Sequence, residues 1–172
     1  MRKGALFLLA GAALVGGCSS KGEPVGCPPA GIVGELSQLT RYRAGAGRDL
    51  SDVLYTLKVA EVGRACKVDR AGANVDLRVV FVAERGPASA PNEAVDFEYF
   101  VAVANTADQV IAKELFRSRI DFGGRNRIAV AEEQSVQRVP VARQPESVTS
   151  RVIVGLQLSP EELGEKRQSP PR

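Results

Sequence analysis

Apolar residues recur at every second position through most of this chain. In "VDLRVVFVAE", Val75, Leu77, Val79 and Phe81 alternate with Asp76 and Arg78 before both faces turn apolar. "VDFEYFVAVA" sets Phe97, Tyr99, Val101 and Val103 on one face, and "DVLYTLKVAEV" does the same with Val53, Tyr55, Leu57 and Val59. "RVIVGLQL" repeats the pattern with Val152, Val154, Leu156 and Leu158. A period of two is that of a half-buried strand, whose side chains point alternately to opposite faces. Gly, Pro, Asn and Asp clusters bound each segment at the spacing of a sandwich or barrel. About seven strands follow, near residues 30–36, 53–67, 74–85, 95–105, 109–122, 126–139 and 149–158. The predicted fold is all-β, an antiparallel β-sandwich, immunoglobulin-like or related. It rests on strand count, since tryptophan is absent and with it the Cys–Trp–Cys signature. "GIVGELSQL" also fits a short helix through Ile32, Val33, Leu36 and Leu39. "SPEEL" offers a capped turn, Ser159 as N-cap and Glu162 three positions on.

Pairing can be argued from the same pattern, because a one-residue slip exchanges the two faces of a strand. Around "NTAD", a four-residue turn sets Val103 opposite Val110, Val101 opposite Ala112 and Phe97 opposite Phe116. Around "FGGRN", a three-residue loop of Gly123, Gly124 and Arg125 pairs Asp121 with Arg127 and Ile120 with Ile128. Glycine supplies the positive φ that such a bulged turn needs.

The amino-terminal run behaves differently. Arg2 and Lys3 precede an uncharged stretch from Gly4 to Gly17 whose centre reads "ALFLLAGAALV". It is shorter than the roughly 20 apolar residues that span a bilayer, and a basic start with a short apolar run describes a secretory signal. The run ends in "LVGGCSS". Val15, Gly16, Gly17 and Cys18, with Leu14 before them, resemble the lipobox of bacterial lipoproteins with a type II signal peptide. The resemblance implies that residues 1–17 are removed and that Cys18 carries a diacylglycerol on its thiol. A second acylation on its amine would make the anchor stable, since stable anchoring takes two chains. The alternative is a plain secreted protein. Ser19 is not the Asp that retains many such proteins in the inner membrane, so the family rule points to the outer membrane, facing the periplasm. The strand pattern of the mature chain resembles that of small β-sandwich lipoproteins of the bacterial envelope.

Residues 18–29 then form the lipidated cysteine and a polar tether, 30–160 the sandwich, and 161–172, ending in "EKRQSPPR", a flexible tail. Removal of the signal leaves 155 residues, enough for one domain with a core. The net charge of +3 falls to about +1 without Arg2 and Lys3, and nothing in it argues for nucleic acid. With Cys18 lipidated, Cys27 and Cys66 are an even pair in an oxidising compartment, and a disulfide is expected over two free thiols.

Candidate chemistry is sparse. Histidine, the commonest general base and metal ligand, is absent, and the cysteines lack the close spacing of a zinc site. No catalytic, cofactor or metal residues are expected. "GAGRDLSD", Gly45 to Asp52, could cradle an anion with Arg48, or be a loop with local turns at Asp49 and Ser51. Glu132 and Glu133 are adjacent on a strand and so point to opposite faces, unsuited to a catalytic pair. Lys113, Arg117 and Arg119 share one strand face and are the candidate anion-binding stripe, with Arg127 beside them in the register above. A solvated outer face guarded against edge pairing is the simpler account of that stripe. Two function classes compete: a non-catalytic envelope lipoprotein acting as an accessory or assembly component through an envelope protein partner, and a binding module for an anionic lipid, lipopolysaccharide or glycan. An enzyme comes third.

Overall fold

The computed structural model describes residues 27–45, 47–69, 72–91, 93–139 and 150–168. Two four-stranded sheets pack face to face. Their strands are β1 (Ala30–Ile32), β2 (Gln38–Tyr42), β3 (Val53–Asp69), β4 (Gly72–Arg85), β5 (Ala94–Asn105), β6 (Val110–Asp121), β7 (Ile128–Val139) and β8 (Ser150–Leu156), followed by a helix, α1 (Pro160–Gln168). The orders are β1-β8-β5-β6 in one sheet and β2-β3-β4-β7 in the other. Every pairing is antiparallel except β1 with β8. The architecture is the expected β-sandwich, with eight strands rather than about seven.

The period of two produces the core directly. Val75, Leu77, Val79, Phe81 and Ala83 of β4 face Val95, Phe97, Tyr99, Val101 and Val103 of β5, all buried between the sheets. Full burial of such side chains contributes about 1.5–3 kcal/mol each. Phe81 lies 4.8 Å from both Phe97 and Tyr99, centroid to centroid, in tilted contacts favoured by the ring quadrupoles. In β3 a bulge between Val59 and Glu61 exchanges the faces, so Val62 and Cys66 turn inward after Val53, Tyr55, Leu57 and Val59.

The ambiguous "GIVGELSQL" divides into β1, a single 3-10 turn at Gly34–Leu36 and β2, so neither a strand over 30–36 nor one helix is right. The "SPEEL" cap forms as expected: Glu162 N–H donates to Ser159 Oγ at 3.2 Å, and Ser159 N–H to Glu162 Oε2 at 2.7 Å. The chain beyond it is helical to Gln168 rather than a tail from 161. Leu163 packs against the core, and Lys166 donates to the carbonyls of Glu35 and Gln38.

Both predicted hairpin registers require correction. In the β5–β6 pair, Phe116 lies opposite Tyr99, Val103 opposite Ala112 and Val101 opposite Glu114. The turn closes one residue tighter, because Asn105 Oδ1 accepts from the amides of Ala107 and Gln109, and Asp108 takes a positive φ of 60°. A bulge beyond Val103 then shifts the ladder by two residues in all, which preserves the faces. The β6–β7 hairpin does not exist: those strands belong to different sheets, and β7 pairs with β4, placing Ile128 opposite Glu84. Gly123 and Gly124 do adopt positive φ, 60° and 81°, but in a connection that crosses between sheets. Arg85 at the end of β4 pulls it across, donating to the Gly124 carbonyl at 2.8 Å and the Asn126 carbonyl at 3.2 Å. Its guanidinium also sits 4.5 Å over the ring of buried Phe122. Arg127 consequently pairs with Glu84 at 2.9 Å, not with Asp121.

Candidate functional site

The expected lipid carrier, Cys18, lies outside the described residues. Cys27 and Cys66 are bonded, their Cα atoms 5.9 Å apart. The bond ties the segment entering β1 to β3, near the hairpin end of the opposite sheet. Its position is set by two registers: Ala30 against Val152 at the start of β8, and Cys66 against Val75 of β4.

Lys113, Arg117 and Arg119 do share the outer face of β6. Each meets a partner there. Arg117 Nε donates to Glu98 at 2.8 Å, and this carboxylate raises the guanidinium's pKa above its ordinary value. Arg119 contacts Asp96 at 3.1 Å and Asp121 at 3.6 Å. Lys113 donates to Gln157 Oε1 at 2.9 Å and lies 4.5 Å over the Phe100 ring. That ring crosses Gly155, where an added Cβ would fall 2.8 Å from it. Arg117 and Arg119 are therefore one rail of a charge ladder whose other rail is Glu98 and Asp96 on the outer face of β5, and Lys113 is held by neutral groups.

The remaining sequence candidates resolve locally. Glu132 points outward and meets Arg78 at 2.6 Å, a hydrogen bond that holds its carboxyl below the usual range. Glu133 points inward. Gly45–Asp52 ends in a 3-10 turn, Leu50–Asp52, and its Arg48 lies 5.6 Å over Tyr42. Arg43 takes Asp52 at 2.8 Å. A shallow depression of ≈ 560 Å³ at one end of the sandwich is lined by Arg41, Phe97, Arg117, Ser159 and Glu162. Arg41 and Glu162 close an ion pair across it at 2.9 Å.

A feature the sequence reading missed lies where the two sheets end on the same side, at β6 and β7. Their inward faces carry polar residues where the rest of the interior is apolar. Ser118 Oγ donates to Glu133 Oε1 at 2.5 Å, and Gln137 Nε2 to Glu114 Oε2 at 3.1 Å. The Ser135 hydroxyl is buried there without a hydrogen-bond partner. Tyr99 closes the inner end of this seam. Burial first, then the charges of Glu133 and Glu114, push its phenol up to about 12. Each of the seam's two carboxylates thus takes a neutral donor from the facing strand, and among the described residues neither has a salt bridge. Glu114 and Glu133 were legible as odd polar residues on their strands. Their pairing with the facing strand depends on the sheet order and was not.

Among the described residues no cluster of His, Cys, Asp or Glu could hold a metal ion, and no helix is long and apolar enough to cross a membrane. Comparison with known protein families, with curated proteins and with solved structures finds no match.

Proposed function

We propose that the chain is a lipid-anchored envelope protein that works without catalysis, as an accessory or assembly component making protein contacts. The observation that carries this reading is the junction of two features. "LVGGCSS" resembles a lipobox, and the disulfide nine residues beyond Cys18 fastens the emerging chain to the sandwich. A β-sandwich held at a membrane by its amino terminus presents edges and loops to partners. The proposed location is the outer membrane, facing the periplasm. The competing anionic-ligand reading would use Lys113, Arg117 and Arg119, and their internal partners Gln157, Glu98 and Asp96 weigh against it.

Labelled fatty acid supplied to cells making the full chain should appear on the protein. Cys18→Ser should abolish the label, because a hydroxyl is far less reactive than a thiolate toward the lipid donor. Intact-mass analysis of the membrane-extracted protein should place the acyl groups on an N-terminal Cys18. An unmodified N-terminus downstream of that residue would remove the anchor from the reading.

A further inference from the structure

The flank formed by β6 and β7 carries complementary signals for one kind of partner. Among the described residues, β7 is hydrogen-bonded to a strand on one side only, by β4. The Arg85 amide donates to the Arg127 carbonyl at 2.8 Å, and the β4–β7 register runs unbroken to Ala73 opposite Val139. Hydrogen-bonded pairs alternate along an antiparallel ladder. Odd-numbered residues of β7 therefore turn their amides and carbonyls to β4, and Ile128, Val130, Glu132, Gln134, Val136 and Arg138 turn theirs outward. Natural edges are guarded by charged side chains, lysine above all, by inward-pointing charge, proline, bulges or brevity. Of these β7 has only Glu132, Glu133 and Arg138, with Glu132 and Arg138 tied to Arg78 and Asp69 of its own sheet. "IAVAEEQSVQRV" contains no Lys, Pro or Gly, runs 12 residues and has no bulge. Ile128, Val130 and Val136 are 58%, 60% and 63% exposed. Just inside this edge lie the carboxylates of Glu133 and Glu114, held by Ser118 and Gln137.

We propose that β7 is a docking edge for an extended polypeptide segment carrying a basic residue. The guest adds a strand outside β7 through its main chain. Its aliphatic residues lie beside Val130 and Val136 on the outer face. Its lysine or arginine turns inward to Glu133, the carboxylate that β7 itself carries, with Glu114 further along the seam, and supplies the positive charge the seam lacks. A second copy of this chain does not fit the seam, because the inward-facing positions of β7 and β6 hold no cation. The inference rests on the protein-contact reading for its biological use and is independent of the anchor.

The test uses the full chain in non-ionic detergent and a capped ten-residue peptide of alternating threonine and valine with one central lysine. A second peptide carries glutamate in place of lysine. Amide exchange at the even-numbered positions of β7 should be fast in the free protein and slow at least tenfold with the lysine peptide. Odd positions should not change. Gln134→Pro removes one outward amide and no bond to β4, so it should keep the melting temperature within a few degrees and weaken binding at least tenfold. E114Q combined with E133Q should abolish the preference for lysine over glutamate. Equal binding of both peptides by the unaltered protein, or binding indifferent to Q134P, overturns the proposal. So does a concentration-dependent dimer that Q134P dissolves, which would make a second copy the occupant. Fatty acid on Cys18 is scored separately: its absence with peptide binding intact removes the anchor alone, and the reverse removes the docking edge alone.

Discussion

On one flank of the sandwich, β1 and β2 are 3 and 5 residues long. A disulfide, a 3-10 turn and helix α1 lie against them. On the other, β6 and β7 run 12 residues each, and among the described residues no further strand pairs with the outer edge of either. Short strands expose few unpaired amides, so the first flank is closed by brevity and covering. The second relies on side chains, and unevenly: β6 has Lys113, Arg117, Arg119 and a facing bulge, while β7 has no lysine and no bulge, and its one cation, Arg138, sits at its end and is paired with Asp69. One fold thus guards three of its edges well and the fourth least, which locates the surface most open to a partner.

The contrast can be broken most forcefully at the covered flank. Removing the disulfide by Cys27→Ser with Cys66→Ser should cost about 4 kcal/mol in the chain-entropy model for a loop of this size, read as a lowered denaturant midpoint. Thiol labelling of the unfolded, unreduced protein should find neither cysteine free. A midpoint unchanged by the double substitution would mean that β1 is held by pairing and packing alone.

The polar seam sharpens the comparison next. The Tyr99 phenol is raised to about 12 from 10.0, so its protonated form is the one favoured by folding. Its stabilisation is fully present below pH 10 and lost as pH rises through about 12. Two units correspond to about 2–3 kcal/mol. Alkaline unfolding followed by circular dichroism should show this loss, and Tyr99→Phe should flatten it over that window. A profile identical in the variant would place the phenol outside the seam's influence.

Smaller effects follow. Ser159→Ala deletes the cap of α1 and should lower stability by about 1 kcal/mol, with faster amide exchange confined to the helix and the Gly34–Leu36 turn it covers. Exchange that spreads into β3 would show the helix to be part of the core's cooperative unit. Val136→Lys supplies β7 with the missing guard. Folding stability should shift by under about 0.5 kcal/mol, while light scattering on heating should fall. Unchanged scattering would mean that this edge does not drive association.

Strand positions were readable because burial on one face imposes the period of two, and Val75 to Phe81 or Val152 to Leu158 carry it without interruption. The face of Lys113, Arg117 and Arg119 was readable for the same reason, and survived a register error because that error was of two residues. What failed depended on distant groups. Nothing near Gly123 and Gly124 announces that Arg85 will draw their loop into the other sheet. The Asn105 turn was misjudged because its side-chain amide, not its backbone alone, sets the loop length. The seam was hidden because Glu133 meets Ser118, and Glu114 meets Gln137, only once β6 and β7 are assigned to facing edges. No local pattern carries that assignment.

The disulfide also decides how the molecule takes load. If Cys18 is held in a bilayer, as proposed, a pull on the domain travels through at most about 30 Å of chain to Cys27. Without the bond, the force would arrive at β1 and peel its three residues from β8 one pair at a time. With it, the force passes across the sulfurs into Cys66, which sits in a strand paired with β4 from Tyr55 to Asp69. Cys66 is flanked on both sides by residues paired with β4, so the load meets no free strand end from which pairs can be peeled. The bond turns a zipper into a rivet.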